Sequence, residues 1–397
     1  LVSYFYTRNN GGSSSLVLGW ADYCTWDNNT IEVEGNVGNM LYLNTFNVDI
    51  PSGVVANQYN VITNNVILAT NRSAAPICWG IVINGQNNLV ENNTVYYGGV
   101  GIAAAFGGNS VNNTYRGNKL YNGSSIGGMG TFSGCTFEDN YVSGTVTVGP
   151  DCNFYGNTFE AKATISGAGA VVENSTFKNE VTISGAGVSF IGNNVTNTVT
   201  VNSNDNVIKA NNITTTGDYA VDLKAKTGNT VTDNYLVSSS HKGDGAVKFS
   251  NANNVVENNI PTINVTVTAE SVWIGSNSNV VVTIPNATGT VTIKVNDKEY
   301  TVDLDENGTA TKEIPAEDLV AGENDVTVSY NSDVYGIKKN STVIFVTDGV
   351  VTQDTYLYYF NQDDNGKLFD YIPDGATLDF QGSIINPDTK IVVQMTS

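Results

Sequence analysis

The segment TISGAGAVVENSTFKNEVTISGAGVSFIGNNVTNTVTV, residues 164–201, repeats itself at an interval of 18 residues. The pentapeptide ISGAG stands at 165–169 and again at 183–187. Three sets of anchor residues follow the same interval: Phe154, Val172, Phe190 and Ile208; Phe159, Phe177, Val195 and Ile213; Thr147, Ile165, Ile183 and Val201. The anchors in one repeat are 5, 6 and 7 residues apart, which is too irregular for a helical stripe. The spacing predicts a β-solenoid, with three short strands per turn and parallel pairing between turns about 4.8 Å apart.

Similar words surround this segment at less regular intervals and extend the predicted solenoid over 1–262. Examples are DNNTIEV at 27–33, ENNTVYY at 91–97, RGNKLY at 116–121 and VENNIP at 256–261. Asn tolerates the left-handed bend between two strands, and stacked Asn side chains can hydrogen-bond from turn to turn. Such a polar ladder is expected where the bend residues Asn157, Ser175, Asn193 and Asn211 align.

The composition indicates an all-β protein with almost no helix. The chain of 397 residues contains 40 Gly but only 8 Pro, 14% of its residues are charged, and no long stretch has helical periodicity.

The pattern changes near Asn264. Six or seven short alternating strands in 263–347 predict an immunoglobulin-like β-sandwich. Residues 348–397 contain further strand-like words but too few for a core of their own, and they predict the start of another β module or a docking segment.

Charge and hydropathy exclude two classes of partner. The formal net charge of −20 disfavours binding to nucleic acid or anionic lipid, because phosphate groups would be repelled. There is no apolar run long enough to span a membrane.

The NNT-apolar and GN-aromatic words at 92–95, 117–121, 156–159 and 193–195 resemble those of the right-handed parallel β-helix in the pectate-lyase-like superfamily. Together with the strand GENDVTVSY at 322–330 and the word TYLYYF at 355–360, their order is similar to that of adhesin-like surface proteins of methanogenic archaea. The resemblance implies an extracellular, glycosylated, rod-like or filament-forming protein of the cell surface. It further implies attachment to a glycan or protein receptor, or surface assembly, with no enzymatic activity and no catalytic residue.

Two alternatives stay open. One is a β-helix polysaccharide lyase or hydrolase, for which the acidic group Asp205, Asp218, Asp222, Asp233 and Asp244 near His241 is the candidate cluster. The other is a phage-type receptor-binding fibre. No cofactor or metal site is expected, apart from structural calcium held between turns.

Candidate site residues fall into three kinds. Trp20, Tyr23 and Trp26 are candidates for stacking on sugar rings, with core packing as the alternative. Cys135 and Cys152 lie 17 residues apart and could form a disulfide between neighbouring turns, or pack as free buried residues. Twelve Asn-x-Ser/Thr sequons are candidate glycosylation sites and favour an extracellular protein. They are Asn28, Asn71, Asn92, Asn112, Asn122, Asn174, Asn194, Asn212, Asn264, Asn286, Asn307 and Asn340.

Both ends of the chain suggest self-association. The strand-like LVSYFY at 1–6 has no covering helix, so its unpaired backbone groups could pair with another chain. We expect head-to-tail contact through 348–397.

Overall fold

The computed structural model describes residues 2–3, 6–9, 12–19, 21–34, 37–44, 55, 57–70, 79–96, 99–104, 108–347, 355–361 and 364–372. The chain divides into two compact units, Leu1–Thr262 with Asp333–Gly336, and Ile263–Ser332 with Ile337–Ser397. The first unit is a parallel β-helix, and the whole described chain is all-β. Its only helical segments in the described ranges are two short 3-10 turns, Gly243–Ala246 and Ala316–Asp318.

Three long parallel sheets form the β-helix, and each turn contributes one strand to each sheet. Sheet 1 contains Val2–Ser3, Thr25–Asp27, Val61–Thr63, Leu89–Glu91, Thr114–Arg116, Thr136–Glu138, Asn153–Tyr155, Val171–Glu173, Ser189–Ile191, Val207–Lys209, Thr230–Thr232 and Val255–Glu257. Sheet 2 contains Tyr6–Asn9, Thr30–Glu34, Val66–Thr70, Thr94–Tyr96, Lys119–Tyr121, Tyr141–Val142, Thr158–Phe159, Thr176–Phe177, Asn194–Val195, Asn212–Thr214 and Tyr235–Val237. Sheet 3 contains Gly12–Gly19, Val37–Asn44, Trp79–Ile83, Val100–Ala104, Ser125–Gly128, Val146–Val148, Ala163–Ile165, Val181–Ile183, Val199–Val201, Val221–Asp222 and Val247–Lys248. A short fourth sheet contains Gly85–Gln86, Asn109–Val111 and Thr131–Ser133.

The core of the β-helix is a set of stacked columns, as the anchor spacing predicts. Phe154, Val172, Phe190 and Ile208 pair in register in sheet 1 and are fully buried. Aromatic rings continue this column, with Phe137 stacked on Phe154 at 5.0 Å between ring centroids. The prediction of Thr147 as an anchor residue was wrong. Thr147 is exposed, and Val148 is the residue that pairs with Ile165. Val148 and Ile165 are 17 residues apart, one fewer than the repeat of 18, and the paired Phe137 and Phe154 are also 17 residues apart.

The predicted asparagine ladder is present and is longer than expected. It occupies the bend between sheets 1 and 2, where each side-chain Oδ1 accepts a hydrogen bond from the backbone N–H of the preceding turn, for example Asn118 to Asn140 at 3.0 Å. Ser175 takes one place and accepts through its hydroxyl. The members are Asn29, Asn65, Asn93, Asn118, Asn140, Asn157, Ser175, Asn193, Asn211, Asn234 and Asn259. Because these buried groups bond each other, the bend carries its polar atoms at little desolvation cost.

The second unit contains two sheets over one apolar core. The first sheet consists of Thr266–Ala269, Ser278–Thr283 and Thr309–Ile314, and the second of Val272–Trp273, Gly336–Thr347, Gly322–Ser332, Thr290–Val295 and Lys298–Asp303. Of the predicted C-terminal module, the structure describes one antiparallel pair, Thr355–Asn361 with Asp364–Ile372. The remainder of 348–397 lies outside the described residues.

Candidate functional site

One outward row on sheet 2 differs from the other exposed rows of the β-helix because three tyrosines follow one another on it. The rings of Tyr96 and Tyr121 stack with centroids 5.0 Å apart and planes 15° apart. Tyr141 follows in the next turn, with its ring centroid 5.3 Å from that of Tyr121 and tilted by 41°. Tyr96 is 40% exposed, although a tyrosine of a β-helix can pack inward, as the fully buried Tyr115 does.

The register of the strands produces this row. Val95 and Leu120 point into the core and pair with each other, so the residues that follow them, Tyr96 and Tyr121, point outward in adjacent turns. In the next turn the equivalent position is Ser143, whose backbone N–H donates to the carbonyl of Leu120. Tyr141 lies two residues earlier on the same outward face. The small Ser143 therefore leaves room beside Tyr121 into which the ring of Tyr141 extends.

The row ends in a charged pair. Glu160 and Lys178 occupy the positions equivalent to Ser143 in the following two turns, as their backbone bonds to Val142 and Phe159 show. The ammonium group of Lys178 is 2.7 Å from the carboxylate of Glu160. Tyr141, in the turn before Glu160, lies close enough for the charge of this carboxylate to act on its phenol. Five side chains in five successive turns thus form one continuous outward row: Tyr96, Tyr121, Tyr141, Glu160 and Lys178. We call this set the tyrosine row.

The charges in the row perturb its ionisation. Loss of solvent contact raises the pKa of Tyr141, and the nearby charge of Glu160 raises it further. The hydrogen bond to Glu160, together with its charge, raises the pKa of Lys178. The row therefore presents a phenol next to a carboxylate and an ammonium group that contact each other. These are groups that can donate, accept and stabilise charge in proton-transfer chemistry.

Two other exposed ion pairs and one exposed lysine lie in these turns of the β-helix. Lys162 and Glu180, each two residues after a member of the row, lie 3.1 Å apart. On sheet 1, Arg116 contacts Glu91 at 2.7 Å. Lys119 is in register with Tyr141 on sheet 2, and the described residues provide no ion-pair partner for it.

The predicted stacking residues Trp20, Tyr23 and Trp26 do not form one site. Trp20 lies outside the described residues. Trp26 points into the core of sheet 1 and is 1% exposed, so its ring is not available to a ligand. Tyr23 is 75% exposed and stacks on Tyr59, a residue that the sequence did not single out, with ring centroids 5.1 Å apart.

Cys135 and Cys152 are buried on adjacent turns and are free thiols in the structure. They occupy a bend before sheet 1 at which other turns place Asn60, Asn88 and Asn113. The thiol of Cys135 donates to the carbonyl of Ser110 at 3.2 Å. A hydrogen bond from Cys152 lowers the pKa of Cys135 to about 7, and the same bond raises the pKa of Cys152. The disulfide stays a prediction.

All sequon asparagines in the described part of the chain are exposed, and only Asn71 falls outside it. Two of them, Asn194 and Asn212, stand in register on adjacent strands of sheet 2. Asn340 differs because its Nδ2 donates to the carbonyl of Val265 at 2.6 Å. Exposure is necessary for glycosylation at these positions but does not establish it.

The acidic group of the alternative enzyme hypothesis does not converge. Asp222 pairs with Lys224 at 2.6 Å, and Asp233 pairs with Lys209 at 3.6 Å. Asp244 accepts hydrogen bonds from Asn259 at the end of the ladder. The ring of His241 stacks on Tyr219, with its Nδ1 2.8 Å from the carbonyl of Asp218. In the described ranges no three His, Cys, Asp or Glu side chains are grouped to hold a metal ion. No helix in those ranges is long and apolar enough to cross a bilayer.

Sequence reasoning missed the tyrosine row because its members lie at unequal spacings in turns of unequal length. The ladder residues would have revealed it. Tyr96 and Tyr121 each follow a ladder asparagine by three residues, and so does Glu160. Aligning the turns on the ladder asparagine, instead of on a fixed period, places these side chains in one row.

Neither a family model nor a curated protein matches the chain. Three solved structures are similar to it. The tailspike protein gp49 of Acinetobacter baumannii bacteriophage Fri1, described as a capsular polysaccharide depolymerase, has 10% sequence identity and a TM-score of 0.33 over 90% of this chain and 66% of that chain. ORF18 of Geobacillus virus E2 has 13% identity and a TM-score of 0.25 over 94% and 73% of the two chains. Chitinase ChiW from Paenibacillus sp. str. FPU-7 has 9% identity and a TM-score of 0.19 over 89% and 25%.

These findings correct one prediction. The resemblance to surface adhesins implied that the protein is not an enzyme, whereas the first of these structures is described as a depolymerase. The assignment as non-catalytic is therefore withdrawn. Because the TM-scores are below 0.5, the activities named for the tailspike protein and the chitinase are not transferred to this chain.

Proposed function

We propose that the β-helix binds an extended polysaccharide along the tyrosine row and cleaves it at the charged end of that row. The observation that carries this proposal is the continuous line of outward side chains from Tyr96 to Lys178, in which three phenols are followed by a contacting carboxylate and ammonium group. This is the lyase or hydrolase alternative of the sequence analysis, on different residues.

The row suits a polymer rather than a small ligand. Its members repeat once per turn, with ring centroids 5.0 and 5.3 Å apart, a distance comparable to the length of one sugar unit in an extended chain. Stacking of Tyr96 on Tyr121 covers one ring face of each and directs the ring edges and hydroxyl groups outward. Tyrosine offers an apolar body and a polar tip, a combination that suits a sugar with its C–H groups and hydroxyls.

The charged end supplies the chemistry that breaking a glycosidic bond requires. The leaving oxygen needs a proton, and the phenol of Tyr141, which is protonated at neutral pH as any tyrosine is, can donate one. Glu160 can accept a proton from an attacking water or from a sugar carbon, while Lys178 stabilises the carboxylate. Hydrolysis and β-elimination share this donor and acceptor, and their products distinguish them.

The same proposal includes an extracellular location and attachment to a surface, as the sequence predicts. Exposed sequons support an extracellular protein, and binding to a surface glycan would attach it there. Five further points are proposed on the sequence alone. They are membership of the adhesin-like surface proteins of methanogenic archaea, a right-handed coil, the immunoglobulin-like character of the second unit, structural calcium, and head-to-tail assembly through 348–397. A phage-type receptor-binding fibre is the other class of protein in which a polysaccharide-binding β-helix of this kind would serve.

The test measures binding to, and product release from, polygalacturonate, alginate, xylan and amylose. Tyr121→Ala should weaken binding about tenfold, which corresponds to about 1.4 kcal/mol. Tyr141→Phe should retain binding but lower the release of unsaturated or reducing ends by a factor of about 100 or more. Glu180→Gln is the matched control, since it breaks the neighbouring pair with Lys162. Unchanged binding and product release in both row variants would refute the proposal.

A further inference from the structure

The bend before sheet 1 has a left-handed backbone in successive turns, and two of its residues break the sequence rule of that bend. Positive φ angles of 50–70° at such a bend favour Gly, Asn and Asp, since a larger side chain is strained there. Eight turns follow the rule, with Asn87, Asn112, Gly134, Asp151, Gly169, Gly187, Asp205 and Gly228. Tyr23 and Tyr59 do not, at φ values of 55° and 57°.

The two exceptions are adjacent and form one surface. The Tyr23 and Tyr59 rings stack with planes 20° apart and are 75% and 47% exposed. Burial of apolar area therefore does not explain why tyrosine stands at either position. Strained, exposed residues that gain little from packing are characteristic of binding surfaces.

Polar side chains hold the backbone beneath the rings. Asp22 accepts the backbone N–H of Gln58 at 2.9 Å, which joins the residues immediately before the two tyrosines. The side-chain amide of Gln86 donates to that of Gln58 at 3.4 Å. The platform thus combines two phenol rings with amide groups close by, and the stacking leaves the ring edges, the hydroxyls and much of Tyr23 open.

We propose that Tyr23 and Tyr59 form a second saccharide-binding platform, separate from the tyrosine row. Its ligand is a neutral sugar ring, whose C–H groups pack against phenol rings while its hydroxyls bond to phenol and amide groups. The platform lies at the bend before sheet 1, whereas the tyrosine row lies on the outward face of sheet 2. The inference does not depend on cleavage of any polymer.

The test uses the full chain labelled with 13C at tyrosine rings and titrated with cellohexaose, maltohexaose and chitohexaose. The signals of Tyr23 and Tyr59 should shift with at least one hexaose. The double variant Tyr23→Asn with Tyr59→Asn should weaken that binding tenfold or more and raise Tm, because it restores the residue type that the bend favours. A merely structural stack predicts the reverse, a lower Tm.

Two controls separate this site from the proposed function. Asp151→Tyr places a tyrosine at the same bend three turns beyond Asn87, away from the platform, and should lower Tm without changing affinity for the hexaose. Tyr121→Ala disturbs the tyrosine row and should leave the shifts of Tyr23 and Tyr59 intact. No shift with any hexaose, or unchanged affinity in the double variant, would overturn the platform whatever the tyrosine row does.

Discussion

Asp244 accepts two hydrogen bonds from Asn259, one from the backbone N–H at 3.0 Å and one from Nδ2 at 2.9 Å. Asn259 is the last asparagine of the ladder and is fully buried. Each earlier member donates its backbone N–H to the side-chain oxygen of the ladder residue in the next turn, and here the carboxylate of Asp244 takes the place of that oxygen. Asp244, a candidate in the acidic cluster, is therefore a cap of the ladder.

Asp244→Ala should lower the free energy of unfolding by about 2 kcal/mol, since the buried backbone N–H of Asn259 loses its acceptor, while Nδ2 keeps the carbonyls of Val231 and Glu257. Asp244→Asn retains an oxygen acceptor and should cost less. Denaturant unfolding of both variants provides the comparison. Equal losses, or loss of polysaccharide cleavage with normal stability in either variant, would argue against the capping role.

A ladder residue in the middle of the β-helix should matter more. Asn140 donates to the carbonyl of Tyr115 and to Oδ1 of Asn157, and accepts from both amide groups of Asn118. Asn140→Ala should destabilise the protein by about 3 kcal/mol because several buried groups lose their partners. Asn140→Ser should lose less, because Ser175 shows that a hydroxyl can serve as the acceptor. Thermal unfolding that ranks the two variants in the opposite order would contradict this.

Much of this architecture was predictable from the sequence, and the limits have physical causes. Parallel in-register pairing places inward residues one turn apart in the sequence. Where the turns have equal length, as from Phe154 to Ile208, the core residues therefore recur at a constant interval and can be identified from the sequence. A turn shortened by one residue shifted the register, so that Val148 and not Thr147 pairs with Ile165, without any change in composition. The tyrosine row depends on which outward residues align between turns of unequal length. The sequence reveals this alignment only when the turns are aligned on the ladder asparagines.

The buried Tyr115 predicts sensitivity to alkaline pH. Burial raises the pKa of this phenol well above its ordinary value of about 10. The folded state keeps it neutral while the unfolded state ionises, so its contribution is complete below about pH 10 and is lost as the pH rises further. Tyr115→Phe should thus show a smaller drop in Tm between pH 9 and 11 than the unmodified protein. A drop of equal size would assign the alkaline sensitivity to other groups.

The sequon geometry predicts a pattern of glycosylation. Asn194 and Asn212 are neighbours in register, about 4.8 Å apart along the axis, so two glycans would collide there. Expression in a glycosylating secretory host and glycopeptide mass spectrometry should find at most one of them occupied per molecule. Asn340 should be unoccupied because its Nδ2 is engaged with Val265. Molecules that carry both glycans, or an occupied Asn340, would contradict these expectations.

Binding of a polysaccharide along the tyrosine row can be observed directly by diffraction. The crystals would contain the Glu160→Gln variant and be soaked with an oligosaccharide of the bound polysaccharide. The substitution should stop cleavage and leave the outward row of sheet 2 in place. We expect a sugar chain along the β-helix axis, in contact with Tyr96 and Tyr121 and with a glycosidic oxygen beside the hydroxyl of Tyr141. A chain bound on sheet 1 or sheet 3, with the tyrosine row empty, would contradict it.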